Sequence, residues 1–393
     1  MTIKIHKCKQ YEAWDGFAFK DRRSTVYHLA AWKSVFERSY GLEAHYLVAV
    51  NGTKEGESGD ELASGVEERW GGKNKNFGNS IVGLLPLVVV RDFFSGKSLF
   101  SLPFLDYGGI LALDDKVERA LLCEAIKLAK HLRVQSIELR HTEPLGGFSE
   151  FDSDGSDGDS TIGVKTELLD WVMETRVHKV RMLLELPASS EALFKSFKAK
   201  LRSQIRRPLK EGLYSRVGGQ ELLDDFYKVF SANMKDLGSP VHSKKLMKYV
   251  LDGFSQQARI VVVYKDVQPV ACSLIIGYKD TLSNPWASAL REFSRLSPNM
   301  LLYWSMLEYG SDNGYSYFDF GRSTPGEGTY RFKKQWGAEA VPLYWHYVSQ
   351  DGKLRREAPS GRNKFEKGVY YWKKLPVSVT NFIGPMIRQR IGL

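Results

Sequence analysis

The residues best suited to chemistry are concentrated between 319 and 337, where the sequence reads DFGRSTPGEGTYRFKKQWG. Gly326 and Gly328 make this a flexible, turn-forming segment. The segment offers groups that hydrogen-bond anions and one carboxylate that could accept a proton. These candidates are Asp319, Arg322, Ser323, Tyr330, Lys333 and Lys334. The pattern predicts an anion-facing site. A tight crossover whose lysines are only solvated stays open as the alternative.

Further candidates lie elsewhere in the chain. Asp106 and Tyr107 belong to the segment SLPFLDYGG, His141 ends the segment IELRH, and Trp286 lies in TLSNPWASAL. A histidine at a strand end can act as a base, with a structural role as the alternative. Basic residues are also dense enough between 198 and 210 to hold a phosphorylated group, unless they form a solvated helix face. They are Lys198, Lys200, Arg202, Arg206, Arg207 and Lys210.

Several catalytic classes lack their signatures. The tripeptide over 319–321 spells the kinase metal-binding motif, but neither a Gly-rich loop nor a His-Arg-Asp run accompanies it. The Gly-Glu-Gly over 326–328 is not followed by the Gly-Lys-Ser/Thr of a P-loop. No G-x-S-x-G elbow or cysteine nucleophile context is present in the sequence, so a covalent intermediate is not expected. The eight histidines show no metal-ligand pairing, so no metal is expected.

Short aromatic elements have to position the segment around Lys333. The predicted elements are a strand over 315–320, a helix over 330–336 and a strand over 341–348. Phe332 and Trp336 are four residues apart and therefore share one helix face. Lys333 and Lys334 are predicted to turn away from that apolar contact.

The same order of elements, strand, strand, strand, helix, strand, occurs twice in the chain and indicates an internal repeat. A chain of 393 residues also exceeds the usual size of a single core. One hairpin plus a strand–helix–strand crossover predicts a mixed sheet with packed helices, an α/β (α+β) fold. Two unrelated α/β domains are the alternative. The predicted divisions are 1–174, 175–350 and a C-terminal tail over 351–393, with a flexible insertion at about 51–80 and an acidic loop at 151–163.

The charge balance favours anionic partners. The chain has 56 Lys and Arg against 46 Asp and Glu, a formal charge of +10. Such an excess suits phosphorylated substrates, other polyanions or an anionic membrane surface. The three cysteines are scattered singly, which is typical of buried thiols in a reducing compartment. No signal-peptide pattern and no run of about 20 apolar residues is present in the sequence, so a cytoplasmic location is expected.

The tail from Lys353 onward differs from the rest. It contains ten Lys and Arg against Glu357 and Glu366, and so holds eight of the ten net positive charges. Aromatic residues are interleaved with these charges, among them Tyr370, Tyr371, Trp372 and Phe382. Basic and aromatic residues together favour an interfacial segment on an anionic membrane. A nucleic-acid arm is one alternative, and aromatics packed back on the core are the other.

Taken together, several motifs give the chain a family resemblance. They are SLPFLDYGG, IELRH, KLRSQIRRPLKEG, NMLLYW and YFDFGRST…GTYRFKKQWGAE…PLYWHY. The chain resembles the FemAB-related proteins, bacterial transferases built from GNAT-like (N-acyltransferase) domains. The similar branch accompanies exopolysaccharide and PEP-CTERM protein-sorting loci. The resemblance implies two tandem GNAT-like domains, each a mixed twisted sheet with helices on both faces.

The resemblance also implies an activity, the transfer of an acyl or aminoacyl group onto an amine. The acceptor would be a phosphorylated or lipid-linked peptidoglycan, cell-envelope or exopolysaccharide precursor. In this family the lysine of the Phe-Lys-x-x-aromatic-Gly motif lies near the acceptor's phosphate, and Lys333 matches it. Arg322 would anchor the same anion, and Tyr330 and Tyr107 would orient the substrate. The remaining substrate or anion contacts would be Lys334, Ser323, Arg202, Arg206 and Trp286, and the proton acceptor Asp319, Asp106 or His141.

The acyl donor stays open between aminoacyl-tRNA and acyl-CoA. Coenzyme-A-dependent GNAT enzymes use Arg/Gln-x-x-Gly-x-Gly/Ala to hold the pyrophosphate, and the corresponding places here read DYGGILALDD and ALREFSRLSPNM. Neither fits that motif, as in FemAB relatives, which take the acyl group from aminoacyl-tRNA. Two alternative functions are an acyl-CoA-dependent N-acyltransferase acting on an amino sugar and a non-catalytic, membrane-associated scaffold for polysaccharide assembly. The expected location is cytoplasmic, with peripheral association at the inner face of the membrane.

Overall fold

The computed structural model describes residues 2–52, 80–92, 96–146, 166–168, 170–350 and 362–392. The first half of the chain supplies six strands and three helices. The strands are β1 (Thr2–Lys7), β2 (Ala44–Gly52), β3 (Ile81–Arg91), β4 (Lys97–Phe100), β5 (Leu111–Ala112) and β6 (Ser136–His141). The helices are α1 (Tyr11–Lys20), α2 (Ala31–Tyr40) and α3 (Asp115–His131), with a short 3-10 turn at Val26–His28.

The second half repeats this order and adds elements at both ends. Its strands are β7 (Thr166–Leu168), β8 (Trp171–Glu185), β9 (Leu213–Gly218), β10 (Ala258–Lys265), β11 (Gln268–Tyr278), β12 (Thr281–Ala289), β13 (Tyr317–Ser323) and β14 (Glu339–Ser349). Its helices are α4 (Ser190–Ser196), α5 (Ala199–Lys210), α6 (Leu223–Leu237), α7 (Lys244–Gly253), α8 (Pro298–Asp312), α9 (Gly328–Lys334), α10 (Arg362–Lys374) and α11 (Val377–Arg388). The predicted duplication and fold class are confirmed.

All described strands join one mixed sheet of fourteen strands. The order is β1-β2-β3-β4-β6-β14-β8-β13-β12-β11-β10-β9, with β5 beside β3 and β7 beside β8. The order is symmetric about the β14–β8 pair. Among the described strands, β4 with β6 and β12 with β13 are the parallel pairs. Each parallel pair closes a strand–helix–strand crossover, through α3 in the first half and α8 in the second.

The two halves exchange strands at the centre of the sheet. β8 follows β6 in the chain but pairs with β13, and β14 follows β13 but pairs with β6. β8 and β14 also pair with each other over eleven residues of β14, from Glu339 to Ser349. The predicted division between residues 174 and 175 falls inside β8. The division into two domains stays a prediction, because the exchanged strands belong to both halves.

Helices cover both faces of the sheet because side chains alternate along each strand. In β2, Tyr46 and Val48 belong to one core cluster while Leu47 and Ala49 belong to another. The first of these clusters runs through both halves, beneath α1, α2, α6 and α7, and α2 packs directly on α7. The opposite face is covered by α3 in the first half and by α4, α5 and α8 in the second. We call the face beneath α2 and α7 the shared face.

One predicted helix differs from the structure. The apolar spacing over 191–211 predicts one helix interrupted near Pro208, but in the structure the break falls between α4 and α5, and Pro208 lies inside α5. Phe197 takes an extended backbone at the break. This conformation directs its ring against Trp304 and Trp336, at centroid distances of 6.2 and 5.7 Å. Aromatic packing therefore decides where the helix is interrupted.

The described part of the tail forms α10 and α11, which both pack on α6. Gly384 of α11 lies against Val241, and a Cβ there would come within 3.1 Å of the Val241 backbone nitrogen. Tyr370, Tyr371 and Phe382 do not pack back on the core, since they are 55%, 66% and 75% exposed, whereas Trp372 is half-buried and its indole nitrogen is covered. The predicted acidic loop lies outside the described residues, as does the insertion over 51–80 apart from its ends. In the part of the chain that the structure describes, no helix is long and apolar enough to cross a membrane.

Candidate active site

Asp319 lies where the parallel strands β12 and β13 diverge. The two strands pair only from Thr281↔Tyr317 to Ser283↔Asp319 and then separate. Its carboxylate is 0% exposed and accepts hydrogen bonds from Arg181 Nε at 2.9 Å and from the Gly321 backbone N–H at 2.8 Å. Burial raises the pKa of Asp319 to about 7, against the Gly321 hydrogen bond, and the charge of Asp106 raises it further. The side chains of Phe318 and Phe320 point toward α8. Because side chains alternate along a strand, the Asp319 side chain between them points to the other side of the sheet, the shared face.

Asp106 approaches the same place from the first half. The parallel strands β4 and β6 stop pairing at Phe100, which gives the first half a fork equivalent to the one between β12 and β13. Asp106 lies in the loop that leaves β4 at this fork. Its Oδ2 accepts the Arg322 backbone N–H at 2.9 Å, and Oδ1 lies 3.2 Å from Arg322 Nε. The two carboxylates meet at Gly321, which donates to Asp319 and whose Cβ, if present, would lie 2.7 Å from Asp106 Oδ2. Each half of the chain therefore contributes one carboxylate to one cluster.

Lys333 belongs to this cluster, but the sequence prediction that it turns outward is wrong. The side chain is buried, with 8% exposure, and its ammonium donates to the carbonyls of Gly321 at 3.1 Å and Arg322 at 2.8 Å. Burial lowers the pKa of Lys333 to about 8, although the charges of Asp106 and Asp319 oppose the shift. The hydrophobic periodicity predicted the wrong environment for Lys333 because it assumes one buried helix face. Helix α9 packs on both β8 and β13 and so has two covered faces.

Tyr107 and Ser323 complete the cluster with polar atoms that are not yet paired. The Tyr107 ring packs edge-on against Tyr27, with centroids 5.0 Å apart, and the Arg181 guanidinium carbon lies 5.2 Å from its centroid. Among the described residues, neither the Tyr107 hydroxyl nor Ser323 Oγ has a hydrogen-bond partner, and both are buried. Buried hydroxyls without partners are costly, so these two are suited to bonding a ligand.

His141 lies behind the loop of Asp106 rather than among the polar groups that meet at Gly321. Its Nε2 accepts the Ile110 backbone N–H at 2.7 Å, and its ring packs against His346 with centroids 5.0 Å apart. Burial holds the pKa of His141 well below its usual value, so the imidazole is neutral. With Nε2 already used as an acceptor, His141 is placed to support the loop.

The other predicted site residues lie in two places. Tyr330 packs against the core on the opposite face of the sheet, where Arg202 and Arg206 belong to α5. Lys334 lines a cavity of about 750 Å³ between α9 and the α4–α5 pair, together with Lys198, Lys200 and Trp336. Trp286 instead lies on the shared face, 6.1 Å from the His242 ring. The cluster at Gly321 therefore brings together Asp106, Asp319, Arg322, Lys333 and Tyr107, and Ser323 follows Arg322 on β13.

Sequence reasoning missed Arg181 and the support that Arg140 gives. Arg181 lies in the long strand β8, and no sequence motif distinguishes it from the other residues of that strand. Arg140 is fully buried, is paired with Glu138 at 2.7 Å, and donates to the carbonyls of Leu105 at 2.5 Å and Gly392 at 3.0 Å. It thereby fixes the residue before Asp106. The motif IELRH could have indicated this supporting role. It places Arg140 in a strand that is predicted to be buried, and a buried arginine needs several hydrogen-bond acceptors around it.

A second cavity, of about 480 Å³, lies where β12 ends and α8 begins, and Asn233, Asp236, Arg291 and Phe332 are among its lining residues. This is where a GNAT fold would hold the pyrophosphate of coenzyme A. The residues do not fit that group. Pro298 removes a backbone donor at the start of α8, and the Met300 N–H is already bonded to the Ser297 carbonyl.

The chain is similar in sequence to one family model and in fold to solved structures. Residues 195–334 match the family model described as an acetyltransferase (GNAT) domain. The crystal structure of FemX superposes with a TM-score of 0.60 at 13% sequence identity, over 89% of this chain and 98% of that one. A tandem GNAT protein from the clavulanic acid biosynthesis pathway gives 0.50 at 10% identity, over 88% and 98% of the two chains. No curated protein matches the sequence. The chain is thus related to the GNAT acyltransferases and shares the fold of FemX.

Proposed function

We propose, from this relation, that the chain is an N-acyltransferase that moves an acyl or aminoacyl group onto the amine of a phosphorylated or lipid-linked precursor of the cell envelope or of an exopolysaccharide. The observation that carries the proposal is Asp319. A buried carboxylate with a pKa of about 7 lies at the fork of two parallel strands, beside Lys333 and Arg322. A group that titrates near the working pH is suited to accept a proton during catalysis.

The proposed reaction needs no covalent intermediate on the protein. The acceptor amine attacks the activated carbonyl carbon of the donor, and its extra proton passes to the Asp319 carboxylate. The tetrahedral oxyanion then collapses and expels the donor's leaving group. The nearby cations favour the negative charge that develops on the oxygen. Because Asp319 is fully buried, the amine has to approach it along the fork between β12 and β13.

The remaining groups would bind and orient the substrates. Arg322, with its side chain 31% exposed, is proposed to contact an anion of the acceptor, while Lys333 fixes the backbone of residues 321 and 322 beneath it. The unpaired hydroxyls of Tyr107 and Ser323 would hydrogen-bond the substrate. Trp286 offers an apolar wall on the shared face. These are positioning roles, which supply rate by holding the reacting atoms together.

The cavity at the start of α8 favours a donor other than acyl-CoA, since it lacks a pyrophosphate cradle. Aminoacyl-tRNA is therefore the proposed donor. An acyl-CoA-dependent amino-sugar N-acyltransferase and a non-catalytic scaffold are the competing functions. We further propose that the protein works at the inner face of the membrane, because α11 presents Val379, Phe382 and Met386 outward beside the basic residues of α10.

A donor screen tests the activity. Purified protein is incubated with charged tRNA or with acyl-CoA, and with amine acceptors that do or do not bear a phosphate, and the product is identified by mass spectrometry. Asp319→Asn should lower the transfer rate about 10²- to 10⁴-fold, the usual contribution of a general base. Asp266→Asn is the matched control, because Asp266 is exposed in the β10–β11 turn at φ 53°, where asparagine is tolerated.

Transfer from acyl-CoA at a comparable rate would replace the proposed donor. A protein that transfers from neither donor, or an Asp319→Asn variant as active as Asp266→Asn, would favour the scaffold.

A further inference from the structure

Arg388, the last residue of α11, brings the C-terminal tail to the active-site cluster. Its Nε donates to His242 Nε2 at 3.2 Å, and its guanidinium carbon lies 5.8 Å from the centroid of the Phe104 ring. Phe104 belongs to the loop that carries Asp106. The side chain is only partly exposed. Within the described part of the chain, no carboxylate lies within ion-pair distance of Arg388, so its charge is not balanced by a partner of its own.

His242 is fixed as a hydrogen-bond acceptor toward Arg388. The Tyr40 hydroxyl lies 3.0 Å from His242 Nδ1 and accepts the Ser243 backbone N–H at 2.9 Å. Burial holds the pKa of His242 well below its usual value, so the ring is neutral. A neutral ring that accepts at Nε2 has its proton on Nδ1 and donates it to Tyr40. This chain of hydrogen bonds uses the Nε edge of Arg388, and no acceptor among the described residues bonds its two terminal nitrogens.

A second guanidinium lies in the same neighbourhood. Arg322 and Arg140 pack against one ring, with their guanidinium carbons 5.3 and 4.4 Å from the Trp345 centroid. Burial lowers the pKa of Arg388 to about 10, and the positive charges of Arg322 and Arg140 lower it further. Arg140 is buried and uses its nitrogens on Glu138 and on two carbonyls. Arg322 is partly exposed and binds Asp106 through Nε, and within the described ranges its terminal nitrogens bond no acceptor either.

The charged groups that contact Gly321, Arg322 or the loop of Asp106, together with the Glu138 partner of Arg140, are unequal in number. The cations are Arg140, Arg181, Arg322, Lys333 and Arg388, and the carboxylates are Glu138, Asp106 and Asp319. The cluster therefore has an excess of two positive charges. Two planar guanidinium edges with free N–H groups match the oxygens of a phosphoryl group bidentately. An excess of two charges suits a phosphate dianion or a diphosphate better than a single carboxylate.

We propose that Arg388 and Arg322 together bind a phosphate or diphosphate group of the acceptor, and that the site is therefore incomplete without the C-terminal tail. The inference rests on the proposed function, because it assigns the chemistry of the acceptor bound at that site. The diphosphate could belong to a nucleotide-activated or to a prenyl-linked precursor. In either case, Arg388 is a binding residue supplied from outside the tandem GNAT repeat.

Binding of phosphates to the full-length protein tests this assignment without any acyl donor. Inorganic pyrophosphate, uridine diphosphate and farnesyl diphosphate are titrated by calorimetry, with sodium chloride of matched ionic strength as the blank. Arg388→Gln should weaken pyrophosphate binding roughly tenfold to a hundredfold, as for the loss of one charge-assisted contact. Arg390→Gln is the matched control, because it removes one charge from an exposed position two residues away. Its affinity should stay within twofold of the wild type.

The outcomes separate the two proposals. Pyrophosphate binding that needs Arg388 supports the site even if no transfer activity is found, and tighter binding of one organic diphosphate identifies the source. Wild-type protein that does not bind pyrophosphate, or equal losses in Arg388→Gln and Arg390→Gln, would overturn the assignment even if transfer is observed. Should Arg388→Gln fail to fold, Arg388→Lys keeps the charge but not the bidentate edge. Wild-type affinity in that variant would also overturn it.

Discussion

Gly321 is the residue at which the two carboxylates of the site meet. Its φ of +73° disfavours any other residue, and a Cβ would approach Asp106 Oδ2 to 2.7 Å. We predict that Gly321→Ala destabilises the protein by about 2–4 kcal/mol, from backbone strain plus the displaced carboxylate, and abolishes transfer. Urea unfolding and the transfer assay measure the two effects.

Gly326→Ala separates the two causes. Gly326 has a similar φ of +81° but nothing within 4 Å of its Cβ position. It should show the backbone cost of about 1 kcal/mol alone and retain activity. Equal losses in both variants would mean that Gly321 is required for its conformation and not for its place between the carboxylates.

Asp319 gives stability and activity opposite dependences on pH. Its folded pKa of about 7 lies above the ordinary aspartate value of 3.8, so the folded state binds the proton more tightly than the unfolded state. This group therefore stabilises the fold below about pH 4 and loses that contribution as pH rises to about 7. The proposed role of Asp319 as proton acceptor requires its ionised form, so we predict that the transfer rate rises with pH through about 7.

Asp319→Asn should remove both trends, which rate profiles and urea unfolding between pH 4 and 8 would detect. A wild-type inflection that persists in the variant would assign the proton acceptor to another group.

Lys333 contributes to the fold as well as to the site. Lys333→Met removes two hydrogen bonds to backbone carbonyls and a charge near both carboxylates. We predict a loss of about 1.5–3 kcal/mol of stability. The pKa of Asp319 should also rise further, because the positive charge of Lys333 lowers it, so the rate profile should move to higher pH. Exposed Lys334→Met should change neither quantity, and an unchanged melt and profile in Lys333→Met would contradict the buried placement.

At this scale the sequence identified most of the residues but not their neighbours. Asp106 and Asp319 are 213 positions apart in a sequence whose motifs mark each singly. Their juxtaposition depends on how the two halves pack, which local periodicity does not encode. Lys333 was misplaced for a related reason, since a hydrophobic stripe predicts one buried face and α9 has two. His141 has the right chemistry for a base, but the backbone N–H of Ile110 occupies its Nε2.

At the scale of secondary-structure elements, helix α11 has one face that packs against the protein and one that is exposed. Thr380 and Gly384 face inward, while Val379, Phe382 and Met386 recur at helical spacing on the outer face and are exposed. The tail is strongly basic, so this outer face matches an anionic membrane surface, where each Lys or Arg contributes about 1 kcal/mol. We predict co-sedimentation with phosphatidylglycerol vesicles but not with phosphatidylcholine vesicles, weakening as salt is raised.

Phe382→Ser should reduce this binding severalfold, and Phe19→Ser should not, although Phe19 of α1 is also an exposed aromatic at 62%. Equal losses in both variants, or intact protein that ignores anionic vesicles at low salt, would contradict membrane docking. Release from vesicles by RNA would instead favour a nucleic-acid arm.

The element order was predictable because strands and helices follow local patterns, but the partners of β8 and β14 were not. A strand over 341–348 was predicted, and β14 forms at Glu339–Ser349. In the structure β14 pairs with β6, which belongs to the other half of the chain. The alternation of apolar and polar residues predicts that β14 is a strand, but it does not determine which strand β14 pairs with. The position of the break between α4 and α5 could not be predicted from the sequence either, because it depends on the packing of Phe197 against Trp304 and Trp336, which are distant in the chain.

At the scale of the whole molecule, the halves should remain together after the chain is cut. A protease site placed within 151–163 would leave two fragments joined by β6–β14 pairing, by α2 on α7 and by the Asp106–Arg322 ion pair. We predict that the fragments co-elute in size-exclusion chromatography and separate only in denaturant. Separation in native buffer would show that the interface between the halves does not hold without the covalent link.

The exchange of strands also has a consequence during synthesis on the ribosome. His141 pairs with Tyr344, and Arg140 binds the Gly392 carbonyl 252 residues further along the chain. The edge of β6 therefore stays open until β14 has emerged, and Tyr344 follows His141 by 344 − 141 = 203 residues. At about 5–20 residues per second this interval lasts on the order of ten seconds or more. An unpaired edge of this kind is a template for aggregation. The nascent first half is thus the species expected to need a chaperone.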